Sequence, residues 1–266
     1  MKQAIKGLVR KTGLRRSTIA SARMCCERNV LATFRPPRPR SGGRILCYHS
    51  VGQPAWGVND VSPARFRRQI EVALTAGYRF VPASEIVRTG GGPRDIAITF
   101  DDGLKSTRTN AAPILAEYGI PWSLFVVSDW TDGRHGFGDE TMLSWDDVAY
   151  LAAMGVEIGS HSVTHPDFGW LDASATIDEL GQSRHTIEAR LGIVPTGFAI
   201  PLGQSANWTA HASDAARDAG YTTIYAQAEE TRPAGTVART FVTRWDGDRV
   251  FRAALGGAFD RWEEWV

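Results

Sequence analysis

Cysteine is scarce in this chain: only Cys25, Cys26 and Cys47 occur in 266 residues. The odd number, with no zinc-ligand spacing, argues against a disulfide scaffold and for a reduced protein in which Cys47 packs as a small hydrophobe. No uninterrupted apolar run is long enough to cross a bilayer or to form the core of a secretory signal, so a cytoplasmic location is expected. No glycine-rich phosphate loop stands between a strand and a helix. Gly90-Gly91-Gly92 precedes a strand and reads as a flexible turn. The first forty residues hold one aromatic, Phe34, which sets nucleic-acid binding aside because base-stacking side chains are missing.

What is present is a hydrophobic fraction of 43% with nine Trp, enough for one large domain or two small ones. The formal net charge of +1 hides an asymmetry: residues 1–44 carry twelve Lys or Arg against the single acid Glu27, so the rest of the chain is acidic. The basic character is therefore assigned to an N-terminal arm, 1–43, that closes in a Pro/Gly linker and is followed by the main domain, 44–266. The arm reads equally as a leader or helix lying on the domain and as a segment, 1–40, in peripheral contact with an anionic membrane. Oligomeric state is left open.

From residue 44 onward, short apolar runs alternate with helical patterns. Ser62-Pro63 starts a helix, Ser144 with Asp146 and Asp147 caps another, and a long helix is expected over 173–191. Strands are expected over 96–100, 122–127, 156–158, 196–200, 221–225 and 237–242. About seven such repeats indicate an α/β fold, a parallel (β/α) barrel in place of an open sheet.

Two stretches carry chemistry. Ala97-Ile98-Thr99-Phe100-Asp101-Asp102-Gly103 ends an apolar strand in two carboxylates and a turn glycine. Adjacent strand residues face opposite ways, so one carboxylate can bind a metal while the other stays free as a base. Asp-Gly alone is a common turn. The second stretch, Gly159-Ser160-His161-Ser162-Val163-Thr164-His165-Pro166, also follows a strand, and its spacing brings two imidazoles to one side of a helical turn or tight loop. Two imidazoles and one carboxylate make a facial metal site with open positions. His135, His185 and His211 read as ordinary polar residues.

Thr99-Phe100-Asp101-Asp102-Gly103 and His161-Ser162-Val163-Thr164-His165, in this order and each after a buried strand, resemble the first two signature motifs of the polysaccharide deacetylase family. These are metal-dependent carbohydrate esterases with a distorted (β/α) barrel, and the resemblance covers roughly residues 44–252. It implies that Asp101 is the general base and that Asp102, His161 and His165 hold a divalent metal, commonly zinc. Two departures stand out. No histidine follows His211, so the C-terminal Leu-x-x-His general acid of the more familiar arrangement is missing. Leu46-Cys47-Tyr48-His49-Ser50-Val51 is instead similar to the first strand of a permuted subgroup that includes bacterial exopolysaccharide deacetylases, which implies His49 as the acid. In Phe198-Ala199-Ile200-Pro201-Leu202-Gly203, Ile200 stands where the family more often has Tyr or Arg before the proline.

The resemblance implies removal of acetyl groups from N-acetylated sugars of a polysaccharide, oligosaccharide or glycolipid. Pro201, Gly203 and Trp208 are candidate substrate-binding residues, and Trp130 and Trp170 join Trp208 as candidates for sugar stacking. An O-acetyl esterase, another acyl amidase, and a non-catalytic carbohydrate-binding barrel are the competing readings.

Overall fold

A computed structural model describes residues 16–262 apart from 36, 38, 39, 139 and 229. The strands are β1 (Arg44–Tyr48), β2 (Ser50–Val51), β3 (Asp60–Val61), β4 (Arg79–Phe80), β5 (Asp95–Phe100), β6 (Trp122–Val126), β7 (Glu157–Ser160), β8 (Gly197–Ala199), β9 (Thr223–Ala226), β10 (Val237–Ala238) and β11 (Thr240–Phe241). The helices are α1 (Arg16–Phe34), α2 (Pro63–Thr75), α3 (Ala83–Thr89), α4 (Ala112–Glu117), α5 (Ser128–Thr131), α6 (Trp145–Ala153), α7 (Ala173–Leu191), α8 (Ala210–Asp218) and α9 (Asp248–Leu255).

One sheet runs β10-β9-β8-β7-β6-β5-β1-β11, with β4 on the side of β5, and every pairing in it is parallel. Its two ends are β10 and β11, which only Arg239 separates in sequence. The segment 237–241 therefore pairs with β9 on one side and β1 on the other, and nearly closes the sheet into a distorted (β/α) barrel. The expected strand over 237–242 is thus broken at Arg239.

Period-two alternation decides what faces the axis. Leu46, Ile98 and Leu124 join Phe66, Leu115, Leu151 and Phe251 in the apolar layer between sheet and helices. Ile45, Ala97, Phe125, Ala199 and Tyr225 form a separate cluster inside the barrel. Counting by twos from Ile45 and Ala97 puts Cys47, His49, Thr99 and Asp101 on that inner face. Phe125 needs room there, and a Cβ on Gly159 would come within 2.4 Å of its ring.

The expected caps are present. Ser62 accepts from the Arg65 amide at 3.3 Å, and Ser144 and Asp147 form a reciprocal capping box at the start of α6. Asp147 also receives Lys105 at 2.7 Å and Arg108, so it ties the turn after Asp101 and Asp102 to α6. Burial pushes the Asp147 carboxyl up, but Lys105, the Ser144 amide and Arg108 outweigh it and hold it down at about 2. A depressed carboxyl stabilises the fold above its unfolded pKa, and the contribution is lost as pH falls through the folded value. Asp147→Asn is expected to cost about 2 kcal/mol at neutral pH. In urea unfolding, the gap to wild type should close as the pH approaches 2.

The described part of the basic stretch packs on the domain, in line with one of the two readings given for it. Helix α1 lies against the barrel, and Arg28 is fully buried. Its Nε donates to Asp246 Oδ1 at 2.6 Å, and its guanidinium sits 4.0 Å from the Phe259 ring centroid. Arg44 pairs with Asp260 at 2.6 Å. Two of the cations counted toward an arm are therefore matched by buried carboxylates of the C-terminal part. Of the segment 1–40 on which the membrane expectation rests, residues 1–15, 36, 38 and 39 lie outside the described residues. Among the described residues no helix is long and apolar enough to cross a membrane. All three cysteines are free, and Cys47 is buried as expected.

Candidate metal-dependent active site

Asp101 and Asp102 leave the end of β5 in different directions because Asp102 adopts a left-handed conformation, with φ 73°, and Gly103 follows at φ 78°. Asp101 keeps the inward direction of Thr99, and Asp102 turns toward the loop after β7. His161 is anchored there: its amide donates to Val126 O at 2.8 Å, and its Nδ1 donates to Ala199 O at 2.8 Å. That bond leaves Nε2 as the free lone pair. Ser162 (φ 72°) and His165 (φ 64°) are also left-handed, so the two histidines converge across a strained loop and not a helical turn. Four of the five left-handed non-glycine residues among the described residues, Leu202 included, are at this site.

His161 Nε2 and His165 Nε2 lie 3.4 and 3.6 Å from Asp102 Oδ1. That oxygen is buried without a hydrogen-bond partner, and one donor atom from each of the three residues falls within 4.8 Å of the others. Two imidazoles and one carboxylate with an orphaned oxygen fit a divalent cation. Burial would raise the Asp102 carboxyl, but His161, His49 and His165 hold it well below the usual carboxylate range. Burial, with the neighbouring His161, pushes His165 down to about 4, which keeps its lone pair available at neutral pH.

Asp101 sits beside this triad, its Oδ2 3.9 Å from His161 Nε2. Arg239 donates to both of its oxygens, at 2.6 and 2.7 Å, and both residues are buried. Burial raises the Asp101 carboxyl, and Arg239 together with His161 and His49 more than offsets it, so Asp101 stays ionised. His49 lines the same cavity of about 150 Å3, and its Nδ1 is buried without a partner. Burial pushes its pKa below the ordinary histidine value.

The remaining candidates separate. Gly203 lines the cavity with Ile200 and Leu202; Pro201 is buried between those two residues in sequence. Trp130 stacks on the ring of His165 at 5.2 Å. Trp170 is 89% exposed and away from the cavity lining. Trp208 requires a correction: its ring fills the apolar cluster of Phe168 and Phe198, and its indole N–H donates to Ser213 at 2.7 Å. A strand-following loop placed it near the site in sequence, but core packing takes up the ring.

Sequence reasoning missed Arg239, Glu179 and Trp56. A lone arginine inside the apolar run Val237-Ala238-Arg239-Thr240-Phe241 was a usable signal, since a charge in a buried strand demands a partner. Glu179 of α7 accepts from the amides of Val163 and Thr164 at 2.8 and 3.0 Å and so braces the loop between the histidines. Nothing in its sequence context distinguishes it from other helix acids.

The family description "Polysaccharide deacetylase" matches residues 89–224, which contain both motifs. The chain is 25% identical to YxkH of Bacillus subtilis (strain 168) over 165 residues, 60% of this chain and 56% of that protein. It is 29% identical to the poly-beta-1,6-N-acetyl-D-glucosamine N-deacetylase of Escherichia coli (strain K12) over 143 residues, 47% of this chain and 21% of that one. The solved structure of IcaB from Ammonifex degensii superposes with a TM-score of 0.66 at 25% identity, covering 81% of this chain and 98% of the other. With a family match spanning half its length and both motifs assembled on the expected barrel, the chain belongs to the polysaccharide deacetylase family.

Proposed function

We propose that this protein is a metal-dependent hydrolase that removes acetyl groups from N-acetylated sugars of a polysaccharide, oligosaccharide or glycolipid. The observation that carries the reading is the convergence of Asp102, His161 and His165 beside an ionised, buried Asp101 at one cavity. An acetamide is a poor electrophile, and its hydrolysis at neutral pH needs a polarised carbonyl, an activated water and a proton for the leaving amine. A divalent cation, zinc by the nature of the donors, would polarise the carbonyl and acidify water when held by Asp102, His161 and His165.

The chain supplies the proton transfers. Asp101 accepts the proton of the attacking water, and Arg239 keeps the carboxylate charged and aimed until then. His49, which lines the same cavity, delivers a proton to the departing amine nitrogen. Ile200 and Leu202 give the cavity an apolar wall for the acetyl methyl group.

The decisive test is elemental analysis of wild type and His161→Ala, with acetate release from N-acetylglucosamine oligomers measured on the same samples. Near-stoichiometric metal in wild type, its loss in the variant, and acetate from wild type alone are the expected results. Metal without acetate from any oligomer, glycolipid or acetyl ester would favour a carbohydrate-binding barrel. Absence of metal after reconstitution would overturn the reading.

A further inference from the structure

The two oxygens of Asp102 have different surroundings. Oδ1 faces the Nε2 atoms of His161 and His165 and has no hydrogen-bond donor. Oδ2 accepts the indole N–H of Trp56 at 2.8 Å. We propose that Trp56 is a positioning residue that holds Asp102 as a one-oxygen metal ligand, so that metal affinity depends on its indole N–H. The inference rests on the reading that Asp102, His161 and His165 bind a metal.

The backbone of Asp102 is fixed in the left-handed region, but rotation of a carboxylate about its last bond is soft and roughly two-fold. Something else must decide which oxygen faces the imidazoles. Trp56 does so because its own position is over-determined. Its ring lies edge-on to Phe137 at 5.0 Å and to Trp130 at 6.3 Å. Trp130 in turn stacks on His165, so one aromatic group backs two of the three ligands.

The loop that carries Trp56 is tied down at both ends. Gln53 donates its amide to Asp60 Oδ1 at 2.7 Å, and its side chain bonds to Thr141 O at 2.9 Å and to the Ser106 amide at 3.2 Å. The indole N–H is therefore aimed before any ion arrives. A hydrogen-bonded oxygen is less available as a second ligand, which leaves coordination positions open for water and substrate. Partners of this kind commonly change metal affinity by about 10–100-fold.

The test uses chelator-stripped full-length protein and three variants. Trp56→Phe keeps a ring and removes the N–H; Trp130→Phe and Phe137→Leu alter the aromatic packing and leave that bond in place. Zn2+ affinity is measured by competition with a chromophoric chelator, and thermal unfolding of the metal-free proteins checks folding. The expected result is a Zn2+ affinity lowered about 10–100-fold in Trp56→Phe, with an unchanged metal-free melting temperature and a clearly smaller loss of affinity in the other two.

A second readout is the visible spectrum with Co2+ in place of zinc. Absorption should weaken in Trp56→Phe as the freed Oδ2 joins the ion and raises its coordination number. Equal affinity and spectra in wild type and Trp56→Phe would overturn the proposal. Equal weakening in all three variants would overturn it too, since packing and not the hydrogen bond would then be responsible. Failure of wild type to bind any divalent metal would remove the metal reading as well, and that outcome is distinct from the others.

Discussion

Asp101→Asn is expected to lower kcat by about 10²–10⁴, the usual range for loss of a positioned general base. KM and metal content should change little. The side chain keeps its volume and one acceptor oxygen for Arg239, but an amide cannot take a proton from water at neutral pH. Asp101 is not one of the converging triad, and its Oδ2 stays 3.9 Å from His161 Nε2, so the variant should still bind metal stoichiometrically. Steady-state kinetics paired with elemental analysis makes the check. Retained turnover would remove Asp101 from the base role, and lost metal would make it a ligand instead.

The second large effect is expected at Arg239. Its guanidinium is buried with Asp101, and each of two nitrogens donates to a carboxylate oxygen. Removing one member of a buried pair leaves an uncompensated charge, at a cost of about 3–5 kcal/mol. Arg239→Met should therefore unfold at a clearly lower denaturant concentration than wild type. The catalytic consequence follows from the same pair. Burial raises the Asp101 carboxyl and Arg239 brings it down, so without the arginine Asp101 holds its proton to higher pH. The acidic limb of the activity profile should move up, and activity at a fixed mildly acidic pH should fall.

A double variant, Asp101→Asn with Arg239→Met, separates the charge effect from simple packing loss. It should be more stable than Arg239→Met alone, because no buried carboxylate is left without its partner. If the double variant loses the sum of both single losses, the pair is not coupled and Arg239 has no electrostatic role. Arg239 owes this position to topology. It lies where the segment between β10 and β11 passes from pairing with β9 to pairing with β1, and its side chain enters the barrel there.

Much of the architecture was legible because it depends on short-range patterns. The apolar runs ending at Phe100 and near Ile158, the capping residues Ser62 and Ser144, and the glycine after α7 are local signals, and each marks an element near its observed limits. The helix expected over 173–191 matches α7 residue for residue. Broken elements were less legible. The strand expected over 237–242 divides at Arg239, and a π-helical stretch at Thr107–Ala111 precedes α4. Both irregularities follow packing against distant parts of the chain, which local periodicity does not carry.

The sequence by itself determined the fold class and brought forward Asp101, Asp102, His161, His165 and His49, because strand ends, turn glycines and the motif spacing are written in consecutive residues. Only the tertiary structure decided the surroundings that give those groups their chemistry. It set Arg239 against Asp101 across 138 positions, Trp56 against Asp102 across 46, and Glu179 under the histidine loop. It also buried Arg28 on Asp246 and withdrew Trp208 into the core. The physical reason is that charge pairing and ring packing depend on distance in space, and the barrel brings together residues that no window of sequence contains.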